Sequence, residues 1–293
     1  MIDLHIHSKY SDGTDSLVEL LKKCEEQKLT HISITDHDEV KIYFELETID
    51  LKKYFSGKII VGAEFRSIYQ MQAIEILAYG FNPNLLKDLN KEIREARVDR
   101  IAKQEMILEH LKKIGKEIGL KFNCNIKIDE NNIFASNLFE TEIFKYEKNL
   151  PILKANGITQ GDKIGNFYRQ ATNNPKNIFY RPKKADIYLS PDQVIKAIHN
   201  AGGLAFLAHP LIYAFKDSLK EIEEIIKTYP EFDGIECFYP TFSKEDNTNL
   251  INLAKKYHKY ICGGSDYHGD NKEYKLGKPK IDYQMVRNWL EKV

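Results

Sequence analysis

A chain of 293 residues and 34.1 kDa is long enough for one large α/β domain or for a domain carrying an insertion, and it needs no disulfide framework to bury a core. With 43 Lys and Arg against 43 Asp and Glu the formal charge is zero, which excludes a general polyanion-binding character and leaves any nucleic-acid contact local. No run approaches the roughly 20 apolar residues of a membrane span, and no basic and then apolar leader opens the chain, so the expectation is a cytoplasmic protein with no membrane and no obligate protein partner.

The first stretch, Met1 to Thr14, reads MIDLHIHSKYSDGT. Ile2, Leu4 and Ile6 alternate with Asp3, His5 and His7, the period of a β-strand, so the two imidazoles share a face and can share one metal ion. The turn through Ser11, Asp12 and Gly13 adds a carboxylate near the same strand end. Leu17, Leu20, Leu21 and Cys24 then form the stripe of a helix over 16–28. Thr30 to Thr35 reads as a strand ending at Asp36-His37-Asp38, and 39–53 reads as helical. Lys58 to Val61 is a third strand, ending in Gly62-Ala63-Glu64-Phe65, and Ala73 to Tyr79 a fourth.

From about residue 84 the character changes. Residues 85–120 are charged and helical in period, with Ile93, Ala96, Ile101, Met106, Leu108 and Leu111 on the buried side. Residues 121–185 lack strand signals, so 84–185 is expected to be an inserted, mostly helical cap that interrupts a domain made of 1–83 and 186–293. The alternation returns with Ser190 as N-cap and Pro191 at the first helical position. Strands over 204–208, 233–238 and 260–264 alternate with helices, the last over 283–290 with the lone tryptophan, Trp289. Repeated β-α units with chemistry at the strand ends predict a barrel of TIM type. The four cysteines, Cys24, Cys124, Cys237 and Cys262, contain no C-x-x-C and are expected as buried, reduced thiols.

The polar residues at those strand ends are His5, His7, Asp12, His37, Glu64, Glu75, His209, Asp266 and His268, including five of the nine histidines. Carboxylates mixed with imidazoles suit Zn, Mn or Fe, and the candidates exceed what one four- to six-coordinate ion can use, which predicts two or three divalent ions. With ions roughly 3.5 to 4 Å apart, a carboxylate such as Glu64 can bridge them, and a shared water becomes a hydroxide positioned to attack phosphorus. Asp36 or a metal-bound water is the candidate acid for the leaving oxygen. No G-x-S-x-G elbow or reactive-cysteine pattern calls for a covalent nucleophile.

H-I-H, S-D-G-T, I-T-D-H-D, G-A-E-F, L-A-H-P and G-S-D-Y-H-G, in this order, resemble the motifs of the PHP (polymerase and histidinol phosphatase) family, most closely its stand-alone TrpH-like metal-dependent phosphoesterases. The likeness covers 1–82 and 186–280, with the insertion where those members carry one. It implies a distorted (β/α)7 barrel in which His5, His7, Glu64 and Asp266 hold one ion and Asp12, His37 and His268 another. Glu64 would bridge to a further ion with His209 and Glu75, although His209 could also serve the second. Two departures stand out: Glu75 occupies a place where the family usually has His, and Thr159-Gln160-Gly161-Asp162 replaces a T-R-G-H motif whose Arg binds substrate phosphate.

Lys163, Arg169, Arg181 and Lys183 are the nearby cations that could replace that Arg, and Arg66, two residues after Glu64 on one strand face, is best placed within the barrel. Tyr168, Phe179 and Tyr180 fit either base stacking or an ordinary cap core. The expected function is metal-activated hydrolysis of a phosphate ester of a small nucleotide or the 5′ end of a short oligonucleotide. Histidinol-phosphate phosphatase is the alternative enzyme, and a metal-binding module with little activity is the alternative from another class.

Overall fold

Among the described residues, the sheet that positions the metal-ligand motifs has seven strands: β1 (Ile2–Ile6), β2 (His31–Ile34), β3 (Lys58–Tyr69), β4 (Gln72–Tyr79), β5 (Leu204–Leu207), β6 (Gly234–Phe238) and β7 (Tyr260–Gly263). They form one sheet in sequence order. The computed structural model describes residues 1–70, 72–86, 104–128, 134–159, 166–174, 176–180, 189–213, 215 and 217–293. The chain divides into two units, Met1–Glu92 with Tyr188–Val293, and Ile93–Ile187.

In the first unit the expected barrel is present, distorted in one respect. β1, β2 and β3 pair parallel, and so do β5, β6 and β7, but β4 runs antiparallel to both β3 and β5. A parallel β4 would require a crossover of a dozen or more residues, whereas the short connection after Tyr69 permits a hairpin. The hairpin also lengthens β3. The expected stop at Gly62 is instead the middle of a 12-residue strand, with Glu64 opposite Leu77 and Arg66 opposite Glu75. The sheet nearly closes on itself where Asp266 N donates to His5 O and His7 N to Tyr267 O, both at 2.8 Å. Gly264 permits that approach, since a side chain there would lie 2.3 Å from His5 N.

Among the described residues six helices flank these strands: α1 (Leu17–Glu26), α2 (Lys41–Leu46), α3 (Pro191–Asn200), α4 (Ser218–Thr228), α5 (Lys244–Lys256) and α6 (Tyr283–Leu290). Ser16 caps α1 in a capping box with Glu19, and Ser190 does the same for α3 with Gln193, satisfying N–H groups the first turn leaves unpaired. The helix expected over 39–53 is shorter, α2 followed by a 3₁₀ turn at Leu51–Lys53. Thr48 Oγ1 donates to Glu45 O at 2.7 Å, the competition for backbone groups that ends helices at such residues.

Ile2, Leu4, Ile60, Leu77, Tyr79, Phe206, Ala208 and Cys262 form one apolar cluster together with Ile281, Val286, Trp289 and Leu290 from α6 and the segment before it. Trp289 lies 5.1 Å from the Tyr79 ring and 4.8 Å from the Phe206 ring, and its indole N–H donates to Ile261 O at 2.9 Å. Cys24, Cys237 and Cys262 are buried as expected, whereas Cys124 is exposed. No helix among the described residues is long and apolar enough to cross a membrane.

The second unit is helical over 104–117, Ala135–Ile143 and Leu150–Ala155. Its own core gathers Leu108, Leu111, Phe139, Ile143, Leu153, Phe167 and Phe179. Phe179 is therefore a core residue, 5.2 Å from Phe167. Met106, expected on the buried side, is exposed. Ile93, Ala96 and Ile101 lie outside the described residues, as do Gln160, Gly161, Asp162, Lys163, Arg181 and Lys183.

Truncating the tryptophan tests the apolar cluster around it. Trp289→Ala should cost about 3–5 kcal/mol of unfolding free energy, read as a lower denaturation midpoint in urea, and Trp289→Phe markedly less.

Candidate metal centre

The nine strand-end residues arrive at one end of the barrel by different routes. His5 comes from β1, which is irregular between Asp3 and Ile6, and His7 lies just beyond it. His37 follows β2 and bridges to Glu64 on β3. His209 follows β5 in a left-handed conformation, φ 23°, and Asp266 follows β7 with φ 49°. Glu75 lies in the first half of β4, and only the antiparallel course of that strand brings it to the same end as Glu64.

Three overlapping groups of donor atoms result, each with its atoms within 4.8 Å of one another: His5, His7, Glu64 and Asp266; His7, Asp12, His37 and His268; and His37, Glu64 and Glu75. In the first group Glu64 Oε2 lies 3.3 Å from the Nε2 atoms of both His5 and His7, and Asp266 Oδ1 lies 3.2 Å from His7 Nε2. In the second, Asp12 is 3.1 Å from His268 and 3.5 Å from His37. His209 Nε2 approaches Glu64 Oε1 at 2.8 Å and Glu75 Oε2 at 3.3 Å, beside the third group rather than the second.

The electrostatics of this end are those of too many buried acids. Burial opposes charge on His5, but Glu236, Glu64 and Asp266 hold it well above the ordinary imidazole range. Burial is likewise overcome at His7, held up to about 9 by Asp266 and Glu64, and at His209, held up to about 10 by Glu64 and Glu75. His37 goes the other way, to about 3, because burial and Arg66 outweigh Asp12 and Glu64. Against burial, His5 and His37 keep Glu64 well below the carboxylate range, and Glu75 sits at about 2 through His209 and His37 despite burial and the charge of Glu64.

Asp12 Oδ1, His37 Nδ1, Glu64 Oε2 and His268 Nε2 are buried without a hydrogen-bond partner among the described residues. Leaving such atoms unsatisfied costs roughly 1–3 kcal/mol each. All four face into the three groups, where divalent cations would satisfy them together, so the donor set fits metal ions that bind oxygen and nitrogen.

Several supporting residues are not among the expected metal ligands. Glu236, buried on β6, lies 2.9 Å from His5 Nδ1 through one oxygen and accepts from His209 N at 2.6 Å through the other. Its only sequence signal was a charge inside the apolar run DGIECF. Asp36, the candidate acid, accepts from Ser8 N, Ser8 Oγ and Ser11 Oγ at 2.8, 2.6 and 2.6 Å, so its carboxylate is engaged with the turn that carries Asp12. Arg66 is 3.5 Å from Glu75 and 3.7 Å from Asp38. Arg169 is exposed on the turn Tyr168–Thr172 of the second unit.

The PHP domain family model matches residues 3–293. A 5′-3′ exoribonuclease of Haemophilus influenzae is 25% identical over 283 residues, covering 94% of this chain and 93% of the relative. A 3′,5′-nucleoside bisphosphate phosphatase of Chromobacterium violaceum is 25% identical over 272 residues, covering 91% and 87%. The crystal structure of a Bifidobacterium adolescentis protein described as a metal-dependent phosphoesterase aligns with a TM-score of 0.67 at 21% identity, covering 99% of this chain and 95% of that one.

Glu236→Gln keeps the side-chain size but removes the charge that orients His5. It should weaken Mn binding about 10–100-fold without unfolding the chain, as measured by calorimetric titration alongside thermal melting.

Proposed function

The chain belongs to the PHP domain family, and from that premise we propose that its metal centre hydrolyses a phosphate ester of a small nucleotide or of the 5′ end of a short oligonucleotide. The hydrolase class follows from the family and from relatives that act on phosphate esters. The substrate class is our reading: those two relatives act on RNA and on a nucleoside bisphosphate. The observation that carries the reading is the convergence of three donor groups on buried, unsatisfied atoms at one end of the barrel.

We assign two or three divalent ions, of Mn, Zn or Fe. His5, His7, Glu64 and Asp266 would hold one; Asp12, His37 and His268 a second, with His7 between them; Glu64, Glu75 and His209 a third. When bound, the ions supply Lewis-acid polarisation of the phosphoryl group and activation of the attacking water. Glu64 belongs to two of the three groups and would be the carboxylate shared between their ions. Glu236 orients His5 and His209, and Asp36 positions the turn bearing Asp12 rather than supplying the proton to the leaving oxygen. Arg66, paired with Glu75 and Asp38, steadies the third group; of Lys163, Arg169, Arg181 and Lys183, the candidate phosphate-binding cations of the insertion, Arg169 alone is among the described residues.

Protein purified without chelator should carry two or more ions per chain by elemental analysis. With Mn added it should release phosphate or nucleotide from 3′,5′-bisphosphonucleosides or short 5′-phosphorylated RNA faster than from histidinol phosphate or an aryl phosphate. Glu64→Gln should lower kcat by at least ~100-fold, the upper end of what losing even an outlying support of a ligand costs. Fewer than one ion per chain after Mn loading would overturn the assignment, and preference for histidinol phosphate would overturn the nucleotide reading alone.

A further inference from the structure

The two oxygens of Asp266 have different company. Oδ1 turns inward, 3.5 Å from His5 Nε2, 3.2 Å from His7 Nε2 and 3.4 Å from His268 Nδ1. Oδ2 accepts from the phenol of Tyr239 at 2.7 Å and from Lys272 Nζ at 2.6 Å. Two donors on one oxygen, one of them charged, leave only the other oxygen for the first donor group.

We propose that Lys272 is a positioning residue of the metal centre, holding Asp266 so that it binds an ion through Oδ1 alone. The proposal rests on the reading of the first donor group as a metal site. Lys272 is no part of any motif that pointed to the centre, and it lies beyond the segment that ends in Asp266 and His268.

The backbone explains why this lysine, 35% exposed, is held in place rather than left to sample solvent. It follows the 3₁₀ turn Gly269–Asn271, which is fastened to the turn after β1. Asp270 N donates to Thr14 Oγ1 at 3.1 Å, and Thr14 N donates to His268 O at 3.2 Å. Asn271 Nδ2 donates to Asp12 O at 2.8 Å. Gly269, with φ 65°, has no room for a side chain against Thr14. One short segment therefore grips Asp12 in the second group through Asn271 and Asp266 in the first through Lys272. Tyr274 completes the support, its ring 5.9 Å from the ammonium and edge-on to Tyr239 at 5.7 Å.

An exposed lysine paired with an exposed acid contributes little. Here the acid side chain is 3% exposed, and the pair decides which of its oxygens is available. Two effects of opposite sign follow. A fixed ammonium beside a ligand repels a cation by Coulomb's law, whereas a correctly aimed ligand binds it better. The sign of the change on removing the ammonium therefore separates the roles.

Chelator-stripped wild type, Lys272→Met, Lys272→Arg and Tyr239→Phe would be titrated with Mn by calorimetry, with bound Mn per chain measured by elemental analysis and thermal unfolding of the metal-free proteins recorded. Lys272→Met should weaken the tightest Mn site about 10–100-fold, Lys272→Arg should restore it to within a few-fold, and Tyr239→Phe should weaken it less than Lys272→Met. The metal-free melting points should stay together. Equal or tighter Mn binding by Lys272→Met would overturn the proposal. Loading of wild type below one Mn per chain would overturn the metal reading and this inference with it; normal loading with an unaffected Lys272→Met overturns this inference alone.

Discussion

The first unit is organised around buried negative charge. Glu64, Asp266 and Glu236 are fully or almost fully covered, with Asp12 and Glu75 beside them, in a barrel whose apolar cluster includes Leu77, Phe206 and Trp289. Carboxylates in such surroundings are costly unless each is matched by a cation or by donors. Within the chain, acidic neighbours raise the imidazoles of His5, His7 and His209 against burial, and Lys272 donates to Asp266.

A second tier of side chains fixes the first. Glu236 spans His5 and the backbone of His209, Asp36 collects three donors from Ser8 and Ser11, and Asp3 accepts from Ser265 N at 2.8 Å and Gly277 N at 2.7 Å. Burial raises Asp3 to about 6 against those hydrogen bonds. These acids join segments far apart in the chain: β1 to the end of β7, β6 to β5, and the first turn to β2. Ligands on strand ends and turns are thereby held to a common geometry although three of the neighbouring backbones, at Asp38, His209 and Asp266, adopt left-handed conformations that cost of order 1–3 kcal/mol each.

Much of this was legible along the chain. Alternating Ile2, Leu4 and Ile6 marked β1, the caps at Ser16 and Ser190 marked two helix starts, and the histidines and acids at strand ends marked the residues that converge. Other parts were not legible, for identifiable reasons. A strand pattern carries a period of two but no direction, so the antiparallel course of β4 was invisible and Glu75 was read as a strand-end residue. Glu236 looked like one acid in an apolar run. Nothing local records that Ser8 and Ser11 fold back onto Asp36. Lys272 resembled any surface lysine.

By itself, the sequence determined the succession of strands and helices, the apolar stripes that build the core, and the inventory of imidazoles and carboxylates, because periodicity, capping and residue chemistry are local properties. Only the tertiary structure decided which oxygen of Asp266 faces inward, which acids support rather than surround the centre, and that Glu64, Glu75 and His209 meet. Those outcomes depend on hairpin direction, barrel closure at Gly264 and hydrogen bonds spanning up to 274 positions, and contacts at that separation leave no periodic trace in the chain.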